Sequence, residues 1–113
     1  MTASFRNLLA PADADLALQD SKSRTVVVYK HSPICDLSER ALDEMNEFLR
    51  IAHPEPDVRI VDVLSARPAS QHLAEITGIR HESPQVLVLK NGAVVWNASH
   101  RRITALDVIE ALS

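Results

Sequence analysis

The chain has 113 residues and a mass of 12.5 kDa, 46% of them hydrophobic and 24% charged, with 12 Lys and Arg against 15 Asp and Glu for a net charge of −3. That is the make-up of one ordinary soluble globular domain, residues 1–113, with enough apolar mass for a single core, and it excludes intrinsic disorder. Four aromatic residues and a net negative charge argue against nucleic acid as a partner, and two glycines, Gly78 and Gly92, are too few for a phosphate-cradling loop or a dinucleotide fingerprint.

The pattern allows a short first strand over residues 4–9. Pro11 then precedes a short helix over Asp13–Lys22, marked by its Asp-rich start. Thr25-Val26-Val27-Val28-Tyr29 is a continuous β-branched run, the mark of a strand buried on both faces. Leu37, Ala41, Leu42, Met45, Phe48 and Leu49 follow helical spacing, with Glu39, Arg40, Glu44 and Glu47 opposite them, which predicts an amphipathic helix over residues 36–51. His53-Pro54-Glu55-Pro56 ends it and leads to a second apolar strand, Val58–Leu64. Pro68 introduces a shorter helix whose inward residues are Leu73 and Ile76, with Gly78 placed as its left-handed cap. Gln85–Lys90 and Ala93–Asn97 are strands joined by Asn91-Gly92, the strongest short-range hairpin signal. Thr104 caps a last helix, with Asp107 at its third position, Ile103 set to staple onto Val108, and a buried stripe of Val108, Ile109 and Leu112.

The order (β)αβαβαββα describes an α/β fold. Two β-α-β steps imply parallel strands with right-handed crossovers, and the final hairpin adds antiparallel ones, so a mixed sheet flanked by helices is expected. Ligands of such sheets collect at the carboxyl ends of the parallel strands.

Cys35 falls there, after the first apolar strand and at the start of the 36–51 helix. Free amides and the dipole at a helix start favour negative charge, so a thiol so placed ionises more readily than free cysteine, and the thiolate is the form that attacks disulfides. The bland alternative is an inert core cysteine. As the chain's one cysteine it excludes an internal disulfide and an ordinary cysteine-based zinc site, and it suits a reducing compartment. The first nine residues lack the apolar run of a signal peptide, and no stretch approaches the ~18 apolar residues of a membrane span. A cytoplasmic location with no membrane partner is expected.

Cys35-Asp36-Leu37-Ser38 is a Cys-x-x-Ser, so a mixed disulfide on Cys35 has no resolving thiol within the chain and must be released from outside. Ser38 is read equally well as a thiol contact or as a hydroxyl satisfying a helix amide. Ser83-Pro84 opens the third apolar strand, and pattern alone favours a trans bond there. His31, His53, His72, His81 and His100 show no metal-binding spacing; His53 and His72 read as solvent-facing, and a contact between His31 and Cys35 that supports the thiolate is within loop reach. Arg101-Arg102 is more often a solvated pair than an anion site. Tyr29 and Trp96 read as strand residues that pack the sheet.

The helix and strand order resembles thioredoxin, and Gly78-Ile79-Arg80 before Ser83-Pro84 is similar to the stretch ahead of thioredoxin's cis-proline. More specifically, Lys30-His31-Ser32 before Cys35, the run His81-Glu82-Ser83-Pro84-Gln85-Val86, and Ala98-Ser99-His100 before Ile103-Thr104 resemble the monothiol bacilliredoxin (YtxJ-like) family, over nearly the whole chain from Val26 on. The resemblance implies a thioredoxin-like protein that removes bacillithiol, or a similar low-molecular-weight thiol, from protein mixed disulfides. Cys35 is then the nucleophile, Pro84 the cis-proline beside it, and His31, Pro33, Ile34, Asp36, Ser38, Ser83 and His100 its neighbours. No bound cofactor is implied; the small thiol is a co-substrate, and the partners are S-thiolated client proteins met by a monomer or weak dimer. The family usually has proline directly after the cysteine, whereas this chain has Asp36, which opposes the helix terminus electrostatically and reads best as a first-turn stabiliser. Two other readings compete: a non-catalytic thioredoxin-fold interaction module using Pro33-Ile34 and the Ser83-Pro84 groove, and an iron–sulfur carrier, which the missing Cys-Gly-Phe-Ser run disfavours.

Overall fold

A computed structural model describes residues 4–113; the first three residues of the expected domain span lie outside the described residues. Five strands form one mixed sheet in the order β1-β3-β2-β4-β5: β1 Phe5–Asn7, β2 Val26–His31, β3 Asp57–Asp62, β4 Gln85–Lys90 and β5 Ala93–Ser99. Four helices accompany it: α1 Pro11–Asp20, α2 Asp36–Ile51, α3 Arg67–Thr77 and α4 Ala105–Ala111, with a 3-10 turn at His100–Arg102.

Apolar strands need cover on both faces, and the sheet has it. On one face Val27, Tyr29, Val58, Val86 and Val88 pack against Met45 and Phe48 of α2 and Val108 of α4. On the other, Val26, Val28, Leu87 and Leu89 pack against Ala14 and Ala17 of α1 and Ala69 and Leu73 of α3. The alternation along β2 is the period of two that sends successive side chains to opposite faces.

Most element boundaries match the sequence reading, and the differences have local causes. α1 starts two residues before the expected 13–22 span, because Pro11 is accommodated at the first helical position and Asp13 Oδ2 accepts the amides of Leu9 and Ala10 at 3.0 and 2.9 Å. The first strand occupies only Phe5–Asn7 of the 4–9 span. β5 runs on to Ser99. Asn91 and Gly92 take φ of 54° and 78°, as a two-residue hairpin turn requires, and Gly78 ends α3 at φ 72°. Thr104 accepts the Asp107 amide at 3.2 Å and so caps α4.

One expectation is corrected. The step from β2 through α2 to β3 is parallel, but β4 enters antiparallel to β2, so the step through α3 is not a parallel crossover. After Gly78 the chain doubles back: the His81 ring already lies 3.2 Å from Ser70 in the first turns of α3. β4 therefore starts at the edge where β2 and β3 end and runs the other way.

Candidate active site

That reversal puts two loops side by side at one edge of the sheet. Lys30 pairs with Gln85 across β2 and β4, and continuing the register by one residue sets His31 beside Pro84. The loop after β2 carries Cys35, and the segment ahead of β4 carries Ser83 and Pro84, whose peptide bond is cis rather than the trans form that pattern favours. A second cis bond, His53–Pro54, lies in the segment between α2 and β3.

Cys35 is the N-terminal boundary residue of α2, extended at φ −113°, and its side chain makes no capping bond. Its carbonyl accepts the amides of Ser38 and Glu39 at 3.0 and 3.1 Å, and its own amide donates to Ser32 O at 3.3 Å. The earlier amides of the helix have no acceptor within it, so the dipole's positive end is open at the thiol. Cys35 is half-buried; Pro33 and Ile34 beside it are exposed, Ile34 to 81%. Asp36, exposed at the first position of α2, suits the helix dipole.

Ser38 is fully buried, and its Oγ accepts the Ser32 amide at 3.1 Å. Its hydroxyl therefore closes the Cys35 loop onto the helix. Ser38→Ala leaves the buried Ser32 N–H without a partner and is expected to cost about 1–3 kcal/mol, read as a lower denaturant midpoint at unchanged slope.

Behind the loop, Tyr29 Oη donates to Ser38 O at 2.9 Å and lies 2.8 Å from His31 Nδ1. The phenol has one proton and Ser38 O can only accept, so His31 Nδ1 must be the donor to Tyr29 and Nε2 carries the free lone pair when the ring is neutral. Burial lowers the His31 pKa, partly offset by Asp62. Burial, with the negative charge of Cys35 adding to it, raises Tyr29 well above the ordinary phenol range, so Tyr29 stays a donor. His31 Nδ1 is thus engaged in a chain that runs from His31 through Tyr29 to Ser38, and Tyr29 does more than pack the sheet.

His100 is fixed from the other side. It sits at φ 57°, a left-handed conformation uncommon for a residue with a side chain, and its amide donates to Pro84 O at 3.0 Å. Its Nδ1 faces Glu82 Oε2 at 3.6 Å. His31 ends β2, Pro33, Ile34 and Cys35 lie in the loop after it, Asp36 and Ser38 in the first turn of α2, Ser83 and Pro84 ahead of β4, and His100 in the turn after β5. His53 is exposed, as the sequence suggests, but His72 is not simply solvent-facing: its Nε2 lies 2.7 Å from Asp15 Oδ1, a hydrogen bond between α1 and α3 that raises its pKa.

A cluster the sequence reading did not find lies on the α3 face of the same edge. Lys30 is completely buried, its Nζ within 3.4 Å of Ser70 O and 3.2 Å of His81 Nδ1, with no carboxylate partner among the described residues. Burial pulls its pKa down to about 8. Beside it Gln85 donates to Arg80 O at 3.0 Å while its Oε1 has no partner among the described residues. The signal was period-two spacing, which aims Lys30 at the face of Val26 and Val28 and away from Tyr29 and His31.

Residues 6–108 match the family described as monothiol bacilliredoxin BrxC. The chain belongs to that family. Among solved structures, a candidate oxidoreductase with a thioredoxin fold is 31% identical at a TM-score of 0.83, covering 95% of this chain and 92% of that one. Thioredoxin of Fasciola hepatica is 23% identical at a TM-score of 0.73, covering 96% and 100%, and thioredoxin of Schistosoma mansoni is 16% identical at 0.74, covering 96% and 93%. The last two establish the thioredoxin fold; membership of the monothiol bacilliredoxin family points to thiol redox chemistry. No helix among the described residues is long and apolar enough to cross a membrane.

Proposed function

We propose that this bacilliredoxin-family chain removes a low-molecular-weight thiol, bacillithiol or one like it, from S-thiolated client proteins, using Cys35 alone. The observation that carries the reading is the placement of the chain's single cysteine at the open N-terminus of α2, beside exposed Pro33 and Ile34 and across from Pro84. In the first step the Cys35 thiolate attacks the small-thiol sulfur of the mixed disulfide: a Cys35–S–S–R bond forms, the client–S–S–R bond breaks, and the client leaves as a thiolate. In the second, an external R–S⁻ attacks Cys35–S–S–R, giving R–S–S–R and regenerating the Cys35 thiolate. Over the cycle one disulfide replaces another: the client mixed disulfide is consumed, R–S–S–R is formed with the external R–S⁻ as the reductant, and Cys35 ends as the thiolate it began as.

The neighbours have distinct roles in this scheme. Pro33 and Ile34 form an apolar lip for the client, Ser83 and Pro84 border the attacking sulfur, and His31 and His100 flank the two sides of the cleft. Ser38 positions the loop and Asp36 stabilises the first turn of α2. The external thiol and the unpaired cysteine suit a cytoplasmic protein acting as a monomer or weak dimer.

The test is intact-mass spectrometry of the reduced protein after exposure to an S-thiolated reporter. A single adduct of one small thiol, located on Cys35 and discharged by added free thiol, is the expected result. Recovery of the unmodified mass while the reporter stays thiolated would overturn the reading.

A further inference from the structure

This inference rests on the proposed function and concerns what recognises the non-sulfur part of the small thiol. An open groove of about 470 Å³ runs beside the site, lined by Leu37, Glu82, Ser99, His100, Arg101 and Arg102, among others. It continues past Arg40 and Glu44, again with Arg101 on its wall, and Arg101 and Arg102 also border the hollow next to it, which Asp107 and Glu110 line as well. Leu37 is two residues from Cys35, a separation the chain limits to about 7 Å, and His100 is bonded through its amide to Pro84. The groove thus opens between the first turn of α2 and the loop that faces the thiol.

The charges there are unevenly spent. Arg6, Arg24, Arg50 and Arg59 each pair with a carboxylate, whereas Arg40, Arg101 and Arg102 have no ion-pair partner among the described residues, as is also true of Arg67 and Arg80 elsewhere. Of the acids along the groove itself, Glu44 is engaged by the Ala105 amide at 2.9 Å and Glu82 stands opposite His100. In a chain of net charge −3, Arg101 and Arg102 line the groove and Arg40 its continuation, both hollows sharing Leu37 of the first turn of α2. A guanidinium is a fork of donors matched to carboxylate oxygens, and the groove has the volume of a small-molecule site.

We infer that this groove seats the carboxylate-bearing part of the low-molecular-weight thiol, with Arg101 as the principal contact and Arg40 and Arg102 flanking it, so that the protein selects anionic over neutral or cationic thiols. The chemistry assigns the small thiol here and the client to the Pro33–Ile34 side.

The experiment measures the rate of mixed-disulfide formation on Cys35 with three symmetrical aliphatic disulfides: dianionic 3,3′-dithiodipropionate, neutral bis(2-hydroxyethyl) disulfide and dicationic cystamine. Taking the ratio of variant to parent for each probe cancels leaving-group differences. Arg101→Gln is expected to slow the dianionic probe about tenfold, to change the neutral probe much less and to relieve discrimination against cystamine. Arg101→Lys should recover most of the dianionic rate, and raised salt should slow that probe alone. Equal slowing of all three probes, or no change in any, would overturn the inference while leaving the one-cysteine chemistry intact. Absence of any Cys35 adduct with every probe in the parent protein would instead overturn the proposed function, and this inference with it.

Discussion

Cys35→Ser is expected to drop release of small thiol from an S-thiolated reporter protein to the uncatalysed rate while leaving the fold unaltered. Exchange needs a thiolate nucleophile, and no second cysteine exists to substitute for it. The Cys35 side chain makes no capping bond and is half-buried, so exchanging sulfur for oxygen removes no structural contact; stability should stay within about 0.5 kcal/mol of the parent. Loss of activity at equal denaturant midpoint is therefore a chemical loss. The parent makes a matching kinetic prediction. Because the Cys35 mixed disulfide cannot be resolved within the chain, steady-state turnover should rise linearly with external thiol and the adduct should accumulate when that thiol is withheld. Turnover independent of external thiol would contradict the two-step scheme. Client binding that survives Cys35→Ala with no reporter turnover in the parent would favour an interaction module built on Pro33, Ile34 and the Pro84 loop.

How much of this was legible in the sequence depends on the range of the signal. α2 was readable to the residue because its amphipathic period starts and stops sharply between Cys35 and the 53–56 proline segment. The hairpin turn and the α4 cap were readable because their chemistry is complete within four residues. The direction of β4 was not: an apolar run buried on both faces reads the same in parallel and antiparallel sheets, and the reversal after Gly78 leaves no periodic trace. Pattern alone did not give the cis bond before Pro84, since only about 5–6% of such bonds are cis; the likeness of the preceding residues to thioredoxin's cis-proline stretch did. Cys35 was found because a strand end followed by a helix start is a local pattern. The bonds that organise its surroundings join residues far apart in the chain, such as Lys30 to Ser70 and His81, and His100 to Pro84. Tyr29 and His31 lay within reach of sequence reasoning: two polar-tipped rings at a spacing of two on one strand share a face.

Lys30→Met is expected to stabilise the protein at neutral pH, and the gain should fade as the solution is made alkaline. Lys30 is wholly buried and, among the described residues, its ammonium finds only Ser70 O and His81 Nδ1 and no carboxylate to offset desolvation. Burial lowers its pKa from 10.5 to about 8. The sign follows from proton counting. Below pH 8 both folded and unfolded chains hold the proton, and the folded state bears the whole cost of the buried charge, about 3 kcal/mol. From pH 8 to 10.5 the unfolded chain binds more protons than the folded one, so this group makes stability rise with pH. Above 10.5 both amines are neutral and the cost is gone. Methionine fills a similar volume without charge, and Ser70 Oγ remains 3.2 Å from His81 Nδ1 to satisfy that ring. With the two lysine hydrogen bonds set against the charge, a net gain of about 1–3 kcal/mol at pH 7 is expected. Denaturant titrations of variant and parent at several pH values give the difference directly and cancel the titration of Tyr29 and other shared groups. A difference that shrinks between pH 8 and 10.5 shows a charged amine held in the sheet edge behind Cys35. A constant difference, or a variant less stable at pH 7, would show that Lys30 is accommodated there without strain and that its bonds to α3 and His81 outweigh its desolvation.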